Sequence, residues 1–161
     1  MHIIPGYDAL EDVRTLFGEY ADWLGVSLCF QSFEQELAAL PGRYALPGGR
    51  LYLAMEDNKA AGCVALRPLD GGTAEMKRLY VRPEYRSRGL GEALTQRIIQ
   101  DAVAIGYRRI VLDTLVTMQP AIRLYKKLGF DVIEPYYDNP IEGAVYLGVN
   151  LVNYTAVSEA E

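Results

Sequence analysis

The chain has 161 residues, half of them apolar and 23% charged, which suits one domain with a real core. Its net charge of −5 argues against a nucleic-acid partner, and no apolar run approaches the roughly 20 residues needed to cross a bilayer. One histidine, His2, and two isolated cysteines, Cys29 and Cys63, set neither a metal pattern nor a disulfide framework, so a metal-free protein with reduced, buried thiols is expected.

In chain order, Ile3-Ile4 reads as a short edge strand, and the start lacks the basic and apolar regions of a signal peptide, so a cytoplasmic protein is expected. From Asp8 to Trp23, apolar residues recur at three and four, with Asp8 as N-cap and Glu11 completing a capping box. Ser32 opens a second helix that ends at Pro41-Gly42. Arg50 to Met55 and Ala60 to Leu66 are predicted strands joined by a turn at Asp57-Asn58. A third strand runs from Thr73 to Val81. A helix from Gly89 to Ile105 buries Leu90, Leu94, Ile98 and Val103, and Gly106 closes it. Arg109 to Leu115 is an apolar strand. Pro120 opens a helix through Leu128, which Gly129 caps. Phe130 to Ile133 and Ala144 to Leu151 form a last strand pair, and residues 152–161 read as a frayed tail. This order predicts a single α/β domain over residues 1–161: a mixed sheet with helices on both faces.

Charge is unevenly spread. Residues 76–109 hold eight Lys and Arg against three acids, whereas residues 1–40 hold one Arg against seven. A basic segment in an acidic body suggests an anion site whose surround favours cations. The segment from Glu75 to Leu94 explains the anion. A strand enters a basic loop with two glycines, which becomes a helix N-terminus carrying free N–H groups and the positive end of the helix dipole. Gly89 and Gly91 let a phosphate reach the backbone, and Arg86 and Arg88 add charge, so a pyrophosphate site is predicted. Gly91-Glu92-Ala93 is not the Gly-Lys-Ser/Thr of a Walker loop. A Rossmann fingerprint fails too, although Asp113 lies where its ribose-binding acid belongs, because Leu94 replaces the third small residue.

Arg86-Ser87-Arg88-Gly89-Leu90-Gly91 matches a third pattern, Arg/Gln-x-x-Gly-x-Gly/Ala. With Leu79-Tyr80-Val81-Arg82-Pro83 before it and Ala121 to Phe130 after it, the chain resembles the GNAT superfamily of acyl-CoA-dependent N-acetyltransferases across about residues 50–151. The resemblance implies a GNAT fold, with a central, mostly antiparallel sheet splayed at the acyl-CoA site. Pantetheine would pair with the backbones of Leu79 and Val81, with Tyr80 between, and the Leu79 N–H would serve as oxyanion donor. Arg86, Ser87, Arg88, Gly89, Leu90, Gly91 and Glu92 would cradle the pyrophosphate of acetyl-CoA, and Met118 and Lys127 complete the expected cofactor set. Met118 replaces an asparagine common in the family, so its contact is expected to pass to Thr117 or Gln119.

Tyr125 matches the family's tyrosine near the CoA sulfur and is the expected general acid. An alkyl ammonium must lose a proton before attack, and Glu75 is the candidate base. It stands eleven residues before Arg86, as the catalytic glutamate does in the histone-acetylating branch. The resulting reading is an acetyl-CoA-dependent N-acetyltransferase acting on a small-molecule amine, with a cationic acceptor favoured by the acidic body. The alternatives are a protein lysine or N-terminal acetyltransferase and a lapsed acyl-CoA sensor. No membrane or nucleic-acid partner is expected, and the resemblance allows a homodimer. Trp23, Phe30, Phe33, Tyr136, Tyr137 and Tyr146 are candidates for the acceptor pocket.

Overall fold

A computed structural model describes residues 1–25, 27–28 and 32–154. Cys29, Phe30 and residues 155–161 lie outside the described residues. Seven strands form one sheet in the order β1-β2-β3-β4-β5-β7-β6. They are β1 (His2–Pro5), β2 (Arg50–Glu56), β3 (Lys59–Pro68), β4 (Thr73–Val81), β5 (Arg109–Leu115), β6 (Asp131–Val132) and β7 (Ala144–Asn150). Every neighbouring pair is antiparallel except β4 and β5.

Helices α1 (Leu10–Leu24) and α2 (Phe33–Ala39) cover one face, where Val13, Leu16, Phe17 and Phe33 pack on Leu51, Leu53 and Ala65. Helices α3 (Leu90–Ile105) and α4 (Gln119–Lys127) cover the other, with Leu94, Ile98 and Tyr125 against Met76, Ile110 and Leu147. Among the described residues, no helix is long and apolar enough to cross a membrane.

The elements follow the sequence reading closely, with local differences. Helix α1 begins at Leu10 with Ala9 as its cap residue, and Asp8 caps nothing. Glu11 turns instead to Arg14, one turn on. Ser32 caps α2 with its backbone in the left-handed region and without a side-chain bond. Val103 is 46% exposed, and Ala102 takes the buried place. At 100° per residue, Val103 points about 180° away from the middle of the Leu90–Leu94–Ile98 stripe. Tyr154, placed by sequence in the tail, donates its hydroxyl to Leu128 O at 2.8 Å.

Two irregularities shape the site. The parallel pairing of β4 and β5 holds only at Thr73–Arg109, Ala74–Ile110 and Glu75–Val111. Beyond these pairs the two strands run on without bonding each other. On the other edge of β4, the register with β3 slips between Cys63–Tyr80 and Ala65–Lys77, so Arg78 and Leu79 together face Val64. This is a bulge, and Arg78 takes φ +63° in it. The Arg78 side chain is 1% exposed and bidentate to Glu36 of α2, with both bonds at 3.0 Å. Its guanidinium also lies 5.1 Å from the Phe33 ring and 5.8 Å from the Tyr20 ring. One buried ion pair therefore fixes α2 over the kinked strand. Removing one partner of such a pair strands a buried charge, at a cost of about 3–5 kcal/mol. Glu36→Ala is expected to destabilise by about that amount in urea titration, whereas Glu11→Ala, which breaks an exposed pair, should cost less than about 1 kcal/mol.

Candidate active site

The free end of β4, the loop after it and the start of α3 border a groove of about 680 Å³, closed on its far side by α4 and Trp23. Helix geometry leaves the N–H groups of its first turn unpaired there. Gly89 caps α3 at φ +81°, a conformation that side chains resist, and a Cβ on it would meet nothing within 4 Å. Of the residues named from the sequence as a cofactor set, Leu79, Tyr80, Val81, Arg86, Ser87, Gly89, Leu90, Gly91, Glu92 and Met118 line this groove. Arg88 and Lys127 fall outside the lining. Arg88 stacks over Tyr85 at 5.6 Å, and Lys127 pairs with Glu92 at 3.0 Å. Arg86 bends back, donating from Nε to Val81 O at 2.9 Å with its guanidinium 4.7 Å over Trp23. Thr117 lines the groove, while Gln119 turns its amide to Val116 O.

Where β4 and β5 part, a smaller cavity of about 70 Å³ continues from the groove, sharing Trp23, Leu79, Met118 and Ala121 with it. Tyr125 forms part of its wall. Burial, reinforced by nearby Tyr20 and Asp113, pushes the Tyr125 hydroxyl well above the ordinary tyrosine value, so it keeps its proton at neutral pH. Its ring packs on Phe130 at 5.7 Å, and its hydroxyl bonds no described residue. Asp113 of β5 lines the same cavity. Tyr137 OH and Asn139 Nδ2 (2.8 Å) both donate to its Oδ2, and Oδ1 accepts no bond from a described residue.

The structure places Glu75, the candidate base, away from Tyr125. Its side chain is 1% exposed, with Oε1 held by Arg67 Nε at 2.7 Å and Oε2 by Tyr136 OH at 2.6 Å. It lines a separate cavity of about 810 Å³ that lacks Tyr125. The physical reason is the pleat. Glu75 points to the sheet face opposite α4, at the last paired position before the strands part. Burial drives its carboxyl up, but Lys77, Arg67 and the Tyr136 hydroxyl outweigh burial and hold it below the usual carboxylate range. Lys77, 8% exposed, lines both cavities, and burial and then Arg78 push its ammonium down to about 8 against the pull of Glu75.

Other expectations divide. Tyr136, Tyr137 and Tyr146 pack on one another at 5.4–5.7 Å beside these cavities. Phe33 lies under Arg78 instead. Cys63 is buried and donates to Arg78 O at 3.2 Å; burial raises its thiol far above the usual value, which leaves it inert. Two acids of the N-terminal segment are engaged by basic residues of β4 and its exit, as Glu19–Arg82 at 2.7 Å and Glu36–Arg78. The cavity residues that sequence reasoning did not single out are Asp113 as a lining carboxylate, Asn139 and Lys77. One signal was present, an acid inside the apolar run Ile110 to Leu115.

Known proteins resemble this arrangement. The model of the acetyltransferase (GNAT) family matches residues 11–130. The chain is 46% identical over 144 residues to an uncharacterised N-acetyltransferase of Schizosaccharomyces pombe, covering 88% of each. A GNAT-family acetyltransferase from Staphylococcus aureus Mu50 superposes at a TM-score of 0.78, with 20% identity, over 93% of this chain and 98% of its own. Another, from Elizabethkingia anophelis with acetyl-CoA bound, gives 0.55 at 29% identity over 64% and 76%.

The Glu75 network makes a pH prediction. A carboxyl held below its unfolded value of 4.5 lends stability that is complete above about pH 5 and is lost as pH falls through the folded value. From pH 5 to pH 3, the urea midpoint of the wild type is expected to fall faster than that of Glu75→Gln.

Proposed function

We propose, since the chain belongs to the GNAT family of acetyltransferases, that it transfers an acetyl group from acetyl-CoA to the primary amine of a small molecule by direct attack. One observation carries the reading. The parting of β4 and β5 joins the groove at the start of α3 to a small cavity lined by a protonated tyrosine and by a carboxylate with one oxygen that accepts no bond from a described residue.

The residues fit the cofactor. The N–H groups at the start of α3 suit a pyrophosphate, and the edge of β4 that β5 leaves open offers the backbone of Leu79 and Val81 to an extended amide chain. Acetyl-CoA would supply an activated acyl carbon as its thioester. The Leu79 N–H, beside the bulge, is the donor placed to stabilise charge on the carbonyl oxygen.

Asp113, rather than Glu75, is the base in this proposal. Asp113 lines the cavity and its Oδ1 accepts no bond from a described residue, whereas both oxygens of Glu75 are occupied. Tyr137 and Asn139 hold Asp113 in place, so Oδ1 takes the proton that the ammonium must lose. The amine nitrogen then bonds to the acyl carbon as the carbon–sulfur bond breaks. Tyr125 gives its proton to the departing sulfur and regains one from the nitrogen, which sheds its second proton as the amide forms. The acceptor side is walled by Tyr136 and Tyr137, which supports a small acceptor over a peptide.

Thiol release from acetyl-CoA with a panel of primary amines tests this. General acid or base groups contribute about 10²–10⁴ in rate, so Asp113→Asn and Tyr125→Phe should each lose about that factor in kcat. Glu75→Gln should lose less than about tenfold. A folded Asp113→Asn enzyme at wild-type rate would sink the assignment of the base.

A further inference from the structure

On the face of the sheet that carries α1 and α2, those helices pack over β2 and β3 and leave β4 and β5 with a polar floor. Arg109, Val111 and Asp113 alternate onto this face of β5, and Thr73, Glu75 and Lys77 lie beside them on β4. The charges on the floor are ordered. At one end, Arg109 and Arg43 line the larger cavity. Arg109 gives its Nε to Thr73 Oγ1 at 3.0 Å, and Arg43 donates to Pro68 O. Neither guanidinium has a carboxylate partner among the described residues, although the chain carries 21 acids. The nearest buried acid, Glu75, is already held by Arg67 and Tyr136, and Asp70 and Asp138 sit at the exposed rim. At the other end stands Asp113, beside Tyr125. Between the ends Val111 is fully covered, and the accessible wall is made by the half-buried rings of Tyr136 and Tyr137, the latter bonded to Asp113. Lys77 lines both cavities, so the two spaces adjoin across its side chain.

We infer that the acceptor is a zwitterion, an amine whose carboxylate lies several atoms away along an apolar chain. Its amine goes to Asp113, its chain lies along Tyr136 and Tyr137, and its carboxylate is held by Arg109 and Arg43. This rests on the function proposed above and names the substrate class of that same site. Four residues of strand put the Cα atoms of Arg109 and Asp113 about 13 Å apart. An α-amino acid carries both charges on one carbon and cannot reach both ends, even with the arginine stems leaning inward. An amine with no acid leaves the guanidiniums unused.

The test uses three amines with acetyl-CoA: 6-aminohexanoate, hexylamine and glycine. Charge-assisted bonds from two guanidiniums predict kcat/KM for 6-aminohexanoate about tenfold or more above either comparator. In the Arg43→Gln/Arg109→Gln double variant, its advantage over hexylamine should shrink to about threefold or less. Equal rates for 6-aminohexanoate and hexylamine overturn the inference, as does a double variant that keeps the preference. If the wild type acetylates none of the three, titration calorimetry on the CoA-saturated protein decides by the same criterion. Tighter binding of 6-aminohexanoate then supports the inference, and binding no tighter than hexylamine overturns it. Failure of acetyl-CoA to bind at all would instead overturn the function on which the inference rests.

Discussion

β4 and β5 grip each other through three residue pairs and then let go. Everything functional in the molecule follows from that parting. A strand edge inside a domain cannot leave its N–H and C=O groups without partners. The open edge of β4 therefore asks for an extended, amide-bearing ligand. The same parting lets a cavity run from the α4 side, where Tyr125 lies, to the α1 and α2 side, where Lys77 and Asp113 lie. Transfer chemistry across a sheet needs such an opening, and the parallel β4–α3–β5 crossover creates it without breaking the core on either face.

Electrostatics hold the opening in shape. β4 and its exit are unusually basic for a central strand, and acids from the N-terminal helices neutralise two of the cations. Glu36 chelates Arg78 at the bulge, and Glu19 binds Arg82 at the strand exit. Arg86 stacks on Trp23, so the end of α1 also touches the phosphate loop. The acidic segment that suggested a cationic acceptor is thus partly structural. Arg43 and Arg109, two exposed cations with no acid partner among the described residues, line the larger cavity, and the proposed zwitterionic acceptor rests on them.

Much of this was legible in the chain. The strand ending at Val81, the glycine loop and the helix from Leu90 are local features, and short-range physics specifies them. The hairpin at Asp57 and Asn58, both at positive φ, was equally local. The proposed base was not legible. Glu75 and Asp113 are both acids on apolar strands, and spacing to the loop favoured Glu75. The difference lies in partners brought from residues 136–139, which no periodicity reveals. Tyr136 and Arg67 occupy Glu75, whereas Tyr137 and Asn139 hold one oxygen of Asp113 and leave the other open. The Arg78–Glu36 pair was hidden for the same reason, since it joins residues 42 positions apart.

The central claim is that the groove at the start of α3 binds acetyl-CoA, and thermal stability measured with and without the cofactor addresses it most directly. A ligand that binds only the folded protein adds about 2.7 kcal/mol at a hundred times its dissociation constant. The account predicts a shift of that order for the wild type and for Tyr125→Phe, and its loss in Gly89→Glu, which sets a carboxylate against the helix N-terminus. A folded wild-type protein, free of bound CoA, whose unfolding temperature does not move with acetyl-CoA would contradict it.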